Sequence, residues 1–203
     1  VAVSPDGKFL ALLTEPDDKA EIYIYDIGKE QIRAFELFNP TTGQNQTPTT
    51  APIYADAIYW DAYGHVIYDA FNSIQSNFGS FEYWDIGFLR AWNYEKNTWG
   101  DGGIGKFFEN LPAGISVGNP ALGKTNPFIM AFDWYDAVRR VNQVMAIDIV
   151  KSPAKPVFVN EEIGVPSYSK NDRKLAFTAK TSEGKLVIAT VNMAEDKITA
   201  DLN

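Results

Sequence analysis

Apolar positions in this chain come in short runs that turn residues interrupt. Val1 to Val3 are apolar, Ser4-Pro5-Asp6-Gly7 has turn chemistry, and Phe9 to Leu13 is continuously apolar. Glu21 to Ile27 reads as the next strand, and Gln31 to Leu37 alternates as the one after. Pro5 presets the φ of a second turn position, Asp6 can bond neighbouring backbone and Gly7 accepts positive φ, so the segment predicts a hairpin. The far end of the chain uses the same grammar: Val165 to Tyr168, the turn Ser169-Lys170-Asn171-Asp172, then strands over Lys174 to Thr178, Lys185 to Val191 and Lys197 to Leu202. Ser169 stands where Ser4 does, Asp172 where Gly7 does, and Leu175-Ala176 where Leu10-Ala11 do.

Two divergent copies lie between. One has Asp61-Ala62-Tyr63-Gly64 before a strand over His65 to Asp69, with a third strand over Asp85 to Trp92. The other has the turn-rich Asn119 to Asn126, a strand over Pro127 to Phe132 and a third strand over Gln143 to Val150. The anchors Leu10, Ile67, Ile129 and Leu175 recur at intervals suited to repeating units with loop insertions. Phe9 to Leu13 and Phe128 to Phe132 are apolar on both faces, which predicts strands covered on both sides, as when sheet stacks on sheet. A β-sandwich, with one solvated face and cleaner alternation, is the competing architecture.

Val3-Ser4-Pro5-Asp6-Gly7-Lys8-Phe9-Leu10-Ala11, followed by Ile22-Tyr23-Ile24-Tyr25-Asp26, resembles the repeat of TolB-like β-propellers. Tyr168 to Phe177 and the two middle units are weaker echoes. The resemblance implies an all-β fold of four-stranded antiparallel blades, approximately 1–38, 53–108, 112–160 and 163–203, forming one propeller domain or part of one. Family members are usually six-bladed, so about four units imply a longer propeller or self-association that completes the ring, with a closed four-bladed ring as the alternative. The motif is structural and implies no substrate.

Composition narrows the function. A hydrophobic content of 45% supports a substantial core, and 14% aromatics with regular Gly and Pro suits many short strands. The net charge of -8, with scattered cations, argues against nucleic-acid binding. No apolar run approaches the length of a membrane span. With no cysteine and one histidine, disulfides, thiolate chemistry and a transition-metal site have no basis, and no cofactor is expected. The chain opens on Val1 without a basic, apolar leader, so any targeting signal would lie upstream; the resemblance implies a periplasmic or secreted location.

The sharpest enzymatic pattern is Gly114-Ile115-Ser116-Val117-Gly118, a match to the nucleophile elbow of α/β-hydrolases. Its context fails, because Asn119-Pro120 stops the helix an elbow needs and the sole histidine, His65, lies upstream of the serine. Ser116 therefore belongs to a strand. His65 takes the strand-start position of Lys8, an edge or surface role. Asp101-Gly102-Gly103-Ile104-Gly105 lacks the lysine of a P-loop and the acid spacing of an EF-hand, and reads as a turn between third and fourth strands. Asp61, Asp69, Asp85, Asp133 and Asp136 fall near strand ends, where acids bond turns; counting them supports no glycosidase pair.

Loops remain the place for a partner. On the repeat register the long insertions Asn39 to Pro52 and Asn72 to Ser80 share one face with Trp134 to Asn142. That face is expected to display Asn72, Gln75, Asn77, Phe78, Trp134, Tyr135, Arg139 and Arg140, a set suited to a protein, peptide or glycan. The leading expectation is a non-catalytic binding propeller. The alternative is the propeller portion of a larger hydrolase or lyase, prolyl oligopeptidase-like or polysaccharide-active.

Overall fold

The computed structural model describes residues 1–15, 19–39, 52–76, 79–108, 111–151 and 153–201. The chain divides into two compact units, Val1–Pro112 and Ala113–Asn203.

In the first unit, β1 (Ala2–Val3), β2 (Phe9–Leu13), β3 (Glu21–Asp26) and β4 (Gln31–Glu36) form an antiparallel sheet in chain order. The predicted opening turn is present. Ser4 N–H donates to the Phe9 carbonyl, Gly7 N–H to the Ser4 carbonyl, and Gly7 sits at φ 70°. The Ser4 hydroxyl also accepts the Phe9 N–H at 2.9 Å, so the serine closes the hairpin from inside. The second sheet runs β5 (Tyr54–Trp60), β6 (His65–Ser76), β7 (Gly79–Arg90) and β10 (Ile104–Lys106). Between β7 and β10 the chain makes an excursion containing the two-stranded ladder β8 (Trp92–Asn93) and β9 (Thr98–Trp99). An apolar cluster joins the sheets, with Phe9, Ala11, Ile22 and Ile24 of the first packed together with Trp60, Val66, Tyr68 and Leu89 of the second.

In the second unit, β11 (Ile115–Leu122), β12 (Ile129–Asp136), β13 (Val141–Asp148) and β14 (Lys155–Asn160) form a third sheet. β15 (Ser167–Tyr168), β16 (Lys174–Lys180) and β17 (Leu186–Asn192) form a fourth of three strands. Ile129, Met130, Ala131 and Phe132 are all 0% exposed, as expected of a strand covered on both faces. The segments beginning at Phe9, His65, Ile129 and Lys174 each occupy the second place in their sheets. The architecture is therefore that of partial β-propeller blades.

The repeat extends to hydrogen bonds. Ser169 N–H donates to the Lys174 carbonyl, Asp172 N–H to the Ser169 carbonyl, and the Ser169 hydroxyl accepts the Lys174 N–H, as Ser4 and Gly7 do in the first sheet. Asp172 adopts φ 56°, a conformation that costs an L-residue energy. Its carboxylate supplies the compensation. Fully buried, it accepts the N–H groups of Lys124, Thr125 and Asn126 and the Thr125 hydroxyl, tying the third sheet's first turn to the fourth sheet.

Later hairpins use aspartate as their turn device. Asp26 accepts the N–H groups of Gly28 and Lys29, Asp136 those of Val138 and Arg139, Asp148 those of Val150 and Lys151, and Asp196 those of Ile198 and Thr199. The side chain mimics a backbone acceptor and fixes the turn.

Three boundaries depart from expectation. Asn72 to Ser80 is not a loop insertion, because β6 and β7 continue pairing through Asn72↔Tyr83 to Ser76↔Gly79 and thereby satisfy their backbone. The turn expected over Asn119 to Asn126 is shorter, since β11 extends to Leu122 through a bulge between Gly118 and Ala121 where Pro120, lacking an N–H, is tolerated. The strand expected over Lys197 to Leu202 is, in its described part, the Asp196 turn followed by an isolated Met193↔Ala200 bridge.

Candidate functional site

A groove of about 450 Å³ opens at one end of the second sheet. One wall is the β5–β6 turn, with Ala62, Tyr63 and His65; the other is the excursion after β7, from Trp92 to Asp101, with Arg90 at its base. Two glycines allow the close packing here, Gly64 where the two walls meet and Gly100 where the excursion folds back on the end of β7. Gly64 has φ 94°, and a Cβ there would lie 2.1 Å from the Trp92 carbonyl oxygen, while its own carbonyl accepts the N–H groups of Ala91 and Trp92. A Cβ on Gly100 would lie 2.1 Å from the Arg90 carbonyl oxygen, and the Gly100 N–H donates to the Ala91 carbonyl. Backbone packed this closely leaves room for no other residue.

Below the groove lies an aromatic cluster. The Phe9 and Trp92 rings are 4.5 Å apart, Trp92 meets Trp99 edge-on at 5.4 Å, and Trp60 stands 6.1 Å from Phe9. The chain's own cations cover part of it, with Arg33 5.4 Å from the Trp99 ring and Lys29 5.9 Å from Trp92. Trp92 is buried and Trp99 half-buried, whereas Tyr63 is 49% exposed at the rim.

The polar side chains of the walls are held from behind. His65 Nδ1 lies 2.6 Å from Asp61 Oδ2, and Asp61 is itself fixed by the N–H groups of Tyr63 and His65, each at 2.8 Å. A carboxylate accepts, so Nδ1 donates and Nε2 is the ring's remaining polar atom. Arg90 grips Asp101 through Nε at 2.8 Å and Nη2 at 3.0 Å, and Asp101 also takes the Gly103 N–H. The Arg90 hydrogen bonds, then the Gly103 N–H, lower the Asp101 pKa to about 2. Of the segment expected as a turn, residues 101–103 lead into the fourth strand, whereas Ile104 and Gly105 already belong to β10 and pair with Leu89 and Phe88.

A second polar cluster lies deeper in the same unit. Lys106 Nζ is 2.7 Å from Asp85 Oδ2, the two side chains being 13% and 5% exposed. Tyr83 Oη accepts from Lys106 at 3.4 Å and from Asn39 Nδ2 at 2.8 Å. Burial raises the Asp85 pKa above the ordinary carboxylate value, opposed by the charge and hydrogen bond of Lys106.

The residues expected to face a partner are divided. Asn72 lies in β6 rather than in a loop; it is buried, and its amide donates to the Ala70 carbonyl at 2.9 Å. Gln75 pairs with Ser80 near the end of that ribbon, and Asn77 and Phe78 lie outside the described residues, as do residues 40–51 of the other insertion. Trp134, Tyr135, Arg139 and Arg140 belong to the β12–β13 hairpin of the second unit, where Tyr135 is 38% and Val138 82% exposed and the Arg139 side chain stands in solvent. Ser116 lies within β11, opposite Tyr135, and is no elbow. No group of side chains able to hold a metal ion occurs among the described residues, and no helix there is long and apolar enough to cross a membrane.

The groove itself escaped sequence reasoning. Its signal was present in Trp92 and Trp99 on either side of a polar turn, but Trp92 reads equally as the end of the third strand.

No protein-family model and no curated protein matches the sequence. Among solved structures, the chain is similar to TolB from Acinetobacter baumannii, with a TM-score of 0.64 and 13% identity over 94% of this chain and 39% of that one. It is also similar to the structure assigned to TolB from Agrobacterium tumefaciens, with a TM-score of 0.59 and 17% identity over 94% of this chain and 56% of that one. At these identities the likeness shows a TolB-like fold, and the chain spans about two fifths and just over half of those two proteins.

Proposed function

We propose that this chain is part of a non-catalytic binding propeller that works in the bacterial periplasm. The observation that carries the reading is the groove of the second sheet, an open concavity of about 450 Å³ with an aromatic floor and polar walls fixed from behind. This is the anatomy of a recognition site, with apolar contact for affinity and few, oriented polar groups for selectivity. The TolB-like fold and the periplasmic setting of that family support the location. The β12–β13 hairpin, with Trp134, Tyr135, Arg139 and Arg140, offers a further contact surface for a protein partner, and the second unit's exposed Val138 adds an apolar tip to it.

The test is comparative binding to peptide and glycan arrays by the wild type and by two groove variants, Tyr63→Ala and Asp101→Asn, with a Trp134/Tyr135/Arg139 triple alanine variant alongside. The groove variants should weaken any bound ligand by about tenfold, the equivalent of about 1.4 kcal/mol. Ligands bound equally well by wild type and both groove variants would overturn this assignment of the site.

A further inference from the structure

We infer that the groove takes a neutral, hydroxyl-rich ligand: an uncharged oligosaccharide segment. This rests on the reading of the groove as a binding site and adds its ligand class. The first reason is charge. Arg90 and Lys96 on the lining are balanced by Glu95 and Asp101, and the Arg90–Asp101 pair is closed on itself by two hydrogen bonds. A charged ligand meets no field of one sign, which is what selects ions from solution.

The second reason is the kind of polar group. His65, Arg90, Asp101 and Asn93 are all planar, and each is anchored along one edge: His65 by Asp61, Arg90 and Asp101 by one another, and Asn93 through its Oδ1, which accepts the Lys96 N–H at 2.9 Å. The edges left over are an imidazole nitrogen, a guanidinium donor, carboxylate lone pairs and an amide donor. Donors and acceptors are thus both present on a lining that also holds Tyr63 and Trp99. Neighbouring sugar hydroxyls each donate and accept, and the C–H face of a pyranose ring is apolar, so a sugar uses both features at once.

The third reason separates sugar from peptide. Capture of an extended peptide through its main chain requires unpaired backbone at the site. Here several backbone groups of the walls and of the adjoining turn are paired internally: the Gly64 carbonyl with Ala91 and Trp92, the Gly100 N–H with Ala91, the Gly102 N–H with the Arg90 carbonyl, and the Gly103 carbonyl with the Arg90 N–H. Those groups are closed to a peptide main chain, whereas the side chains of His65, Arg90, Asn93 and Asp101 stand on the lining, as suits a ligand recognised by its hydroxyls.

Cellotetraose, chitotetraose and maltotetraose, tested by calorimetry and tryptophan fluorescence together with an array of neutral oligosaccharides, decide the matter; tetragalacturonate and an extended-peptide library are the contrasting arms. The expected result is saturable binding of at least one neutral saccharide, little changed by salt, weakened about tenfold by Tyr63→Ala and by Asp101→Asn. Tyr63→Phe, which keeps the ring, should retain most of it, and unchanged circular dichroism and urea midpoints establish that the variants fold. Absence of any neutral saccharide binder, or tighter binding of the uronate, overturns the carbohydrate class. Groove-dependent binding of peptides alone overturns it too, while leaving the groove as the site. Saccharide binding indifferent to Tyr63 and Asp101 overturns the groove itself.

Discussion

Replacing Asp172 with glycine tests how one carboxylate joins two sheets. The substitution removes an acceptor serving three N–H groups and the Thr125 hydroxyl, and it restores the residue that the first sheet uses at the same place, Gly7. Hydrogen bonds to a charged group contribute about 1.5–3 kcal/mol each, but Lys124 and Thr125 are exposed and water can replace part of what is lost, so the set is worth about 3–4 kcal/mol. Glycine relieves left-handed strain worth about 1 kcal/mol, leaving a net loss of about 2–3 kcal/mol. Asp172→Asn retains tolerance of φ 56° and one acceptor oxygen, and should cost about 1–2 kcal/mol. Burial opposes ionisation of Asp172, but the Thr125 hydroxyl and the three N–H groups outweigh it and hold the pKa below the ordinary value. The sign follows: the carboxylate's stabilisation is present above the unfolded-state pKa of about 4 and fades as pH falls through the lower folded-state value. Urea denaturation between pH 3 and pH 7, with amide exchange at residues 124–126, measures both effects. If Asp172→Gly leaves the midpoint and those three amides unchanged, the carboxylate does not hold the turn.

Other perturbations follow from the same geometry. Lys106→Met strands the buried Asp85 and should cost about 3 kcal/mol in urea denaturation, with Asp85→Asn added to it recovering a measurable part. Asp133 presents the opposite linkage to Asp172: burial raises its pKa despite the N–H groups of Val165 and Gly164 and the Asn119 amide, so its contribution is most favourable below the unfolded-state pKa and declines as pH rises through the folded-state value. The stability difference between wild type and Asp133→Asn should therefore shrink with rising pH across that window, and a difference that grows would refute the assignment. Arg140→Gly and Glu30→Gly place glycine at φ 56° and 52° in aspartate-fixed turns, and each should raise stability by about 0.5–1 kcal/mol in thermal denaturation.

What the sequence made legible was whatever depends on local chemistry. Ser4 and Ser169 face the same backbone groups because a hydroxyl five residues before a strand amide can reach it wherever the turn recurs, and Gly7 and Asp172 coincide because the turn demands positive φ. The both-face burial of Ile129 to Phe132 was readable for a similar reason, since a run with no polar member has no face to give to water. Asn72 to Ser80 differs from expectation because polar residues in a long ribbon resemble a loop by composition, and its pairing from Asn72↔Tyr83 to Ser76↔Gly79 leaves no apolar alternation to mark it as strand. The partner of Asp172 was equally hidden, 46 to 48 residues away in the chain.

The groove shows how such a scaffold acquires a site without disturbing its repeat. The second sheet keeps the strand order of the first, and departs from it where β7 passes to β10: the first sheet crosses from Asp26 to Gln31 in a short turn, whereas the second inserts the excursion carrying Trp92, Asn93, Trp99 and Asp101. That excursion is held against the β5–β6 turn by Gly64 and against the end of β7 by Gly100 and Arg90, so its polar groups are fixed by strand ends already paired in the sheet. Length and polarity mark where chain can be added, but a concavity needs two walls, and only a turn backed by its neighbour supplies the second.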